Sequence, residues 1–243
     1  MFSLARQVGH ALLDFAFPPH CLVCGQFLGE AGQSLCGRCW GEIQSPCPDR
    51  CPRCSCPGAI SPCANCASWD PAVERALVLG DFAGALREAI HLLKFQGHQE
   101  LGRCLGRCLG QAPELARALQ QVDLLIPVPL HPARQRERGY NQSLRIAEGL
   151  AEALGKRLCA DRLERRVPTR QQARLDAAAR QQNLEAAFQV KGELPAHCCI
   201  GLVDDVVTTG ATLGACGRAL YQAGGRRVWG VALACPFQRG PSP

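Results

Sequence analysis

Four C-x-x-C pairs crowd the first quarter of the chain: Cys21/Cys24, Cys36/Cys39, Cys51/Cys54 and Cys63/Cys66. Eleven residues separate the first two pairs and eight the last two. One such turn sets two thiolates on one side of a metal ion, and a second turn closes the tetrahedron. No open position is left, so the arrangement is structural and not catalytic. The spacing predicts two structural Zn²⁺ sites. Disulfides and redox C-x-x-C chemistry are the competing uses; four regularly spaced pairs without a secretory signal point to metal. Sequential pairing, first pair with second and third with fourth, is the expectation, and the same spacing also permits an interleaved one. Gly25 and Gly37 suit the tight knuckles that aim backbone N–H groups at sulfur. Cys47, Cys56 and His20 are expected bystanders that could substitute as ligands. Too few large apolar residues lie here for a core, so the metal must supply folding energy.

The N-terminal "MFSLARQVGHALLDFAFPPH" has no uninterrupted apolar centre and no small-residue cleavage site. It reads as an amphipathic helix ended by Pro18-Pro19. No apolar run reaches the length of a membrane span, and a cytoplasmic location is expected. The formal charge of +6 treats cysteine as neutral. Ligation of two zinc ions by eight thiolates brings it to about +2, so bulk charge says little about partners.

Near Asp70-Pro71 the composition changes, dividing a cysteine-rich unit (1–70) from a larger one (71–243). In the larger unit strands and helices alternate, which predicts an α/β fold with a mostly parallel sheet. Strands are expected at "ALVLGDF", "VDLLIPVPL", "HCCIGLVDD" and "RRVWGVALAC". Helices are expected at "ALREAIHLLKF", in two pieces broken near Pro113, from an Asn141 N-cap to Gly155, and over "ATLGACGRALYQAGG". Ligands of such sheets bind beyond the carboxyl ends of the strands, where "PVPLHPARQRERGYN" and "DDVVTTGAT" fall.

In "GLVDDVVTTGATLG" two adjacent acids end a buried strand, an expensive placement unless something meets them. The loop that follows, Val207 to Thr212, leads into a helix. Its open N–H groups, its threonine hydroxyls and Gly210 form a natural phosphate site. Asp204 and Asp205 would repel that phosphate but suit sugar hydroxyls or hydrated Mg²⁺ beside it. Walker and Rossmann fingerprints are both absent. Taken alone, the acids could merely cap the next helix.

Residues 200–212, "IGLVDDVVTTGAT", resemble the phosphoribosyl pyrophosphate signature of type I phosphoribosyltransferases. More narrowly the chain resembles the ComF/GntX family, which joins a double zinc ribbon to such a domain. "KFQGH", "PVPLHPARQRERGYNQS" and "LERRVPTRQQARLDAAARQQNLEAAF" match further elements of its pattern, so the likeness covers nearly the whole chain. It implies a type I phosphoribosyltransferase-like fold behind a small N-terminal zinc-ribbon domain. Asp204 and Asp205 would hold the ribose hydroxyls, directly or through Mg²⁺. Thr208, Thr209, Gly210, Ala211 and Thr212 would bind the 5′-phosphate, with Val206 and Val207 in the same phosphoribosyl pyrophosphate-binding stretch. Val128, Pro129 and Leu130 stand at the pyrophosphate loop, with Arg134, Arg136 and Arg138 following; Arg138 joins the two acids as a catalytic candidate. Arg165, Arg166, Thr169, Arg170, Gln172, Arg174 and Arg180 lie in a segment that fits a water-excluding lid, or a solvated helix face.

The activity so implied is transfer of phosphoribose to an acceptor with release of pyrophosphate. The acceptor would be recognised by a hood built from residues 76–111, which carries no signature of its identity. A competence-related DNA role and non-catalytic sensing of phosphoribosyl pyrophosphate are the alternatives, with a protein or single-stranded DNA partner on the ribbon. Against DNA, Phe27, Trp40 and Trp69 are few aromatics for stacking, and Arg38, Arg50 and Arg53 form no dense stripe. His10, His91, His131 and His197 show no catalytic spacing.

Overall fold

A computed structural model describes residues 19–29, 33–44, 50–57, 63, 66, 69–166, 187–195 and 197–236. The expected N-terminal helix, Cys47 and most of the arginine-rich lid segment lie outside these residues. Five strands form one parallel sheet in the order β1-β7-β6-β2-β3. They are β1 (Arg75–Asp81), β2 (Leu124–Pro127), β3 (Arg157–Leu158), β6 (Cys199–Val206) and β7 (Arg227–Cys235). A separate antiparallel pair joins β4 (Leu163–Arg165) to β5 (Phe188–Val190). The four long apolar runs become β1, β2, β6 and β7, as their continuous hydrophobicity requires of strands covered on both faces. β3, β4 and β5 are too short to show a period, and the sequence does not announce them.

Strand alternation divides the core in two. Leu77, Leu79, Leu125, Val203, Val231 and Leu233 face α2 (Gly84–Phe95), α3 (Gln99–Gln111) and α6 (Gln142–Leu154). Val78, Ile126, Ile200, Leu202, Val228 and Ala232 face α7 (Ala211–Gln222) and the β4–β5 pair. α3 breaks at Ala112, and α4 (Pro113–Leu119) restarts on Pro113 at a position where a missing N–H costs nothing. α3 and α6 cross at backbone contact. A Cβ on Gly106 would lie 2.0 Å from the Ile146 carbonyl oxygen, and one on Gly149 2.0 Å from that of Arg103.

The cysteine-rich segment straddles the β1 edge of this sheet. Cys21, Cys36 and Cys39 join the α2 side of the core; Cys51, Cys54 and Cys66 join the α7 side. Between them the chain covers the outer edge of β1: the Ala76 N–H donates to the Arg53 carbonyl at 2.7 Å, and Ser55 Oγ donates to the Ala76 carbonyl at 2.7 Å. Arg50 adds an ion pair to Asp81 at 2.6 Å. An edge that would otherwise template aggregation is thereby closed.

Candidate functional site

Two four-cysteine clusters form, Cys21/Cys24/Cys36/Cys39 and Cys51/Cys54/Cys63/Cys66, so the pairing is sequential. Sulfurs stand 3.6 and 3.7 Å apart in the first cluster and 3.4 to 3.5 Å apart in the second. A tetrahedron of thiolates about 2.3 Å from zinc has edges of about 3.8 Å. The clusters therefore fit two structural zinc sites. Both first knuckles share one geometry. The Gly25 N–H returns to the Cys21 carbonyl at 2.8 Å and the Ser55 N–H to the Cys51 carbonyl at 2.9 Å, with φ of 70° and 56°. Gly25 is used as its position suggests. Gly37 is not: it opens the short helix α1 (Gly37–Ile43). Ser55 takes a left-handed conformation that nothing in its identity advertises, held by its bond to Ala76. The Gln26 N–H holds the Cys24 thiol down to about 6, so part of the cost of forming a thiolate is met by the knuckle itself. Cys56 is buried beside Cys235, and His20 stacks edge-on against Phe27; neither belongs to a cluster.

Asp204 and Asp205 close the central strand β6 at its carboxyl end. Asp204 Oδ1 accepts from Ser143 Oγ at 2.9 Å and from the Asp205 N–H at 2.9 Å. Burial first, and then the charge of Asp205, push the Asp204 carboxyl up to about 7. Asp205 is buried; its Oδ1 accepts from the Val206 N–H at 2.8 Å, and Lys94 Nζ lies 2.8 Å from its Oδ2. That last contact has the distance of an ion pair without hydrogen-bond direction, so Oδ2 is met by a positive charge but accepts no hydrogen bond among the described residues. Lys94 comes from the last turn of α2, whose neighbouring turn is pinned where the Tyr140 hydroxyl donates to the Leu93 carbonyl.

Of the residues 206–212, Val206 and Val207 have their N–H groups engaged, by Asp205 Oδ1 and the Ala234 carbonyl. Thr208 and Thr209 are exposed; Gly210 is left-handed at φ 76° and caps α7. Among the described residues, the N–H groups of Thr208, Thr209, Gly210 and Thr212 have no acceptor. Four open donors at a helix start leave a positive field of the kind that attracts anions.

Pro129 and Leu130 line a cavity of about 650 Å³ with Arg162, Arg165 and Lys191. Val128 spends its N–H on the Val203 carbonyl, and its own carbonyl accepts from Asn141 Nδ2 at 3.0 Å. Pro129 has no N–H, so of these three only Leu130 offers a backbone donor. The basic stretch after them folds into the short helix α5 (Pro132–Arg138), capped by His131 Nδ1 accepting from the Ala133 N–H at 3.2 Å. Arg134 and Arg138 face a second cavity, of about 460 Å³, with Lys94, Phe95, Gly97 and Glu137. Arg138 bonds Gln142 Oε1 and lies over the Phe95 ring, its Cζ 5.6 Å from the centroid. The sequence marks Asn141 only as a helix N-cap, which it is, and assigns no site role to Lys94 or Ser143. Lys94 stood inside a recognisable element, but the acid it meets lies 111 positions away.

Residues 12–68 match the family described as the double zinc ribbon domain. Over 227 residues the chain is 33% identical to Competence protein F of Haemophilus influenzae, covering 88% of this chain and 96% of that one. It is 32% identical over 219 residues to DNA utilization protein YhgH of Escherichia coli, with 87% and 94% covered. Competence protein ComFC of Bacillus subtilis is 25% identical over 205 residues, 82% of each chain.

Proposed function

The chain belongs to the ComF family, and from that premise we propose that it binds phosphoribosyl pyrophosphate with Mg²⁺ and transfers phosphoribose to an acceptor, releasing pyrophosphate. One observation carries this reading: a half-satisfied pair of acids and four open backbone donors share the carboxyl end of one central strand. Carboxylates accept hydrogen bonds from hydroxyls, and backbone N–H groups donate them to phosphate oxygens. A sugar carrying both groups satisfies both halves. Asp205 Oδ2, ion-paired to Lys94 but accepting no hydrogen bond, beside an acid already hard to ionise, suits a hydroxyl donor or a hydrated divalent cation.

Asp204 and Asp205 would orient the ribose through its 2′- and 3′-hydroxyls. Thr208, Thr209, Gly210 and Thr212 would fix the 5′-phosphate, so the anomeric carbon is held between two anchored ends. As the bond from that carbon to the pyrophosphate oxygen breaks and the acceptor's bond forms, charge moves onto the leaving group. Arg134 and Arg138, which line one cavity with Lys94, would meet it. Asp204 and Asp205 are the residues that would hold Mg²⁺, which when bound would supply charge neutralisation on the departing oxygens.

A thermal-shift titration tests the reading. Phosphoribosyl pyrophosphate with Mg²⁺ should raise the melting temperature of the wild type and leave Asp204→Asn/Asp205→Asn unmoved. Equal stabilisation of both proteins would refute the assignment. The names of the relatives favour a second reading, a DNA-handling role in which the sugar phosphate is a signal. Single-stranded DNA affinity that falls steeply with salt, together with no pyrophosphate release, is its signature.

A further inference from the structure

The peptide leaving the second cysteine cluster does not stop at the sheet. The Trp69 N–H donates to the Cys66 carbonyl at 3.2 Å, so Trp69 is tied directly to a ligand residue. Its indole Nε1 donates to the Val73 carbonyl at 2.9 Å, folding residues 69–73 into a closed turn. That turn lies along α7 where Gly210, Gly214 and Gly217 follow one another on one face. A Cβ on Gly210 would stand 2.4 Å from the Trp69 ring, one on Gly214 2.6 Å from Asp70 Cβ, and one on Gly217 2.9 Å from Val73. Asp70 then pairs with Arg218 further along the same helix. Trp69 is only 5% exposed, and its ring forms the floor under the left-handed residue of the loop.

We propose that Trp69 is a positioning residue for the 207–212 loop, through which the second four-cysteine site sets how tightly that loop holds a phosphate. The inference rests on the phosphate-binding reading above for its ligand, but not for its mechanics. Gly210 must keep φ near 76° for the neighbouring N–H groups to converge. An indole packed on its Cα side leaves the peptide little room to turn. Losing zinc from the second site frees Cys66, the hydrogen bond from Trp69, and with them the floor. Coupling of this kind is reciprocal, so a phosphate ligand must raise zinc affinity by the factor that zinc raises ligand affinity, and slower zinc release is its kinetic sign.

The test uses the full zinc-loaded chain. Amide hydrogen exchange at Val207 and Gly214, the hydrogen-bonded amides that bracket the loop, should speed up fivefold or more in Trp69→Ala and in Cys63→Ser/Cys66→Ser, and stay near the wild-type rate in Trp69→Phe. Exchange in β7 serves as the check that the sheet remains folded. Should Trp69→Ala not fold, Trp69→Leu, which removes the flat ring under Gly210 while keeping part of its apolar volume, replaces it. In parallel, release of zinc to a chromogenic chelator is followed with and without ribose 5-phosphate. Slowing of one of the two zinc ions by fivefold or more in the wild type, lost in Trp69→Ala, is the expected result. Unchanged loop exchange in the folded variants overturns the proposal. Faster exchange with no effect of ribose 5-phosphate on zinc, and no binding of phosphoribosyl pyrophosphate, upholds the mechanical link and overturns the ligand reading instead.

Discussion

Lys94 Nζ stands 2.8 Å from Asp205 Oδ2, joining the last turn of one helix to the end of the central strand. The lysine side chain is 24% exposed and the aspartate 7%, so the acid is almost fully withdrawn from water while its partner keeps about a quarter of its exposure. Removing the partner should therefore cost more than a surface pair and less than a fully buried one. Lys94→Met is expected to lower unfolding free energy by about 2 kcal/mol at pH 8. In Lys94→Met/Asp205→Asn most of that loss should be recovered, and a double-mutant cycle by urea denaturation reads the difference. Additive losses would mean that the contact contributes nothing.

The raised Asp204 carboxyl makes the metal-free protein pH-dependent. Its folded value near 7 lies above the ordinary 3.8, so between these limits the native state keeps a proton that the unfolded chain has lost. Stability from this group is present near pH 4, declines as pH rises, and is fully lost above pH 7. Asp204→Asn should flatten that part of the profile. A variant whose urea midpoint declines as steeply as the wild type between pH 5 and 7.5 would place the origin elsewhere. Mg²⁺-dependent binding should strengthen over the same interval, because only the ionised carboxylate attracts the cation.

Gly106 and Gly149 let α3 and α6 meet backbone to backbone. Gly106→Ala drives a methyl group into the Ile146 carbonyl, which belongs to a helix and cannot rotate aside. The expected cost is about 3 kcal/mol or more, at the upper end of overpacking effects. Gly41→Ala, in α1 with nothing within 4 Å of the new methyl, should instead be neutral or slightly stabilising. Melting temperatures of the two variants decide it; similar values would show that the helices can separate freely.

Chelation should do more than release zinc. The second knuckle carries Arg53 and Ser55 onto the outer edge of β1, and without it that edge is open. Two zinc ions per chain by metal analysis, a lowered melting temperature after chelation, and light scattering that grows with protein concentration are the expected set. A chelated protein that melts like the untreated one and stays monomeric would separate the metal from the fold.

What could be read in advance depended on distance along the chain. The C-x-x-C pairs, the four long strands, the Pro113 break, the Asn141 cap and the acid pair are each written within a dozen residues, where spacing and hydrophobic period act directly. Sequence alone thus determined a parallel α/β sheet, two tetrathiolate sites and a strand ending in two carboxylates. It did not determine which cysteine pairs close on each other, that Ser55 would take the left-handed turn, or that the arginines after Pro132 would wind into a helix. Nor could it show Lys94 against Asp205 or Trp69 beneath Gly210. Those are meetings of segments up to 141 positions apart. The strand order β1-β7-β6-β2-β3 brings them together, because burying both faces of one sheet leaves each element a single place to pack.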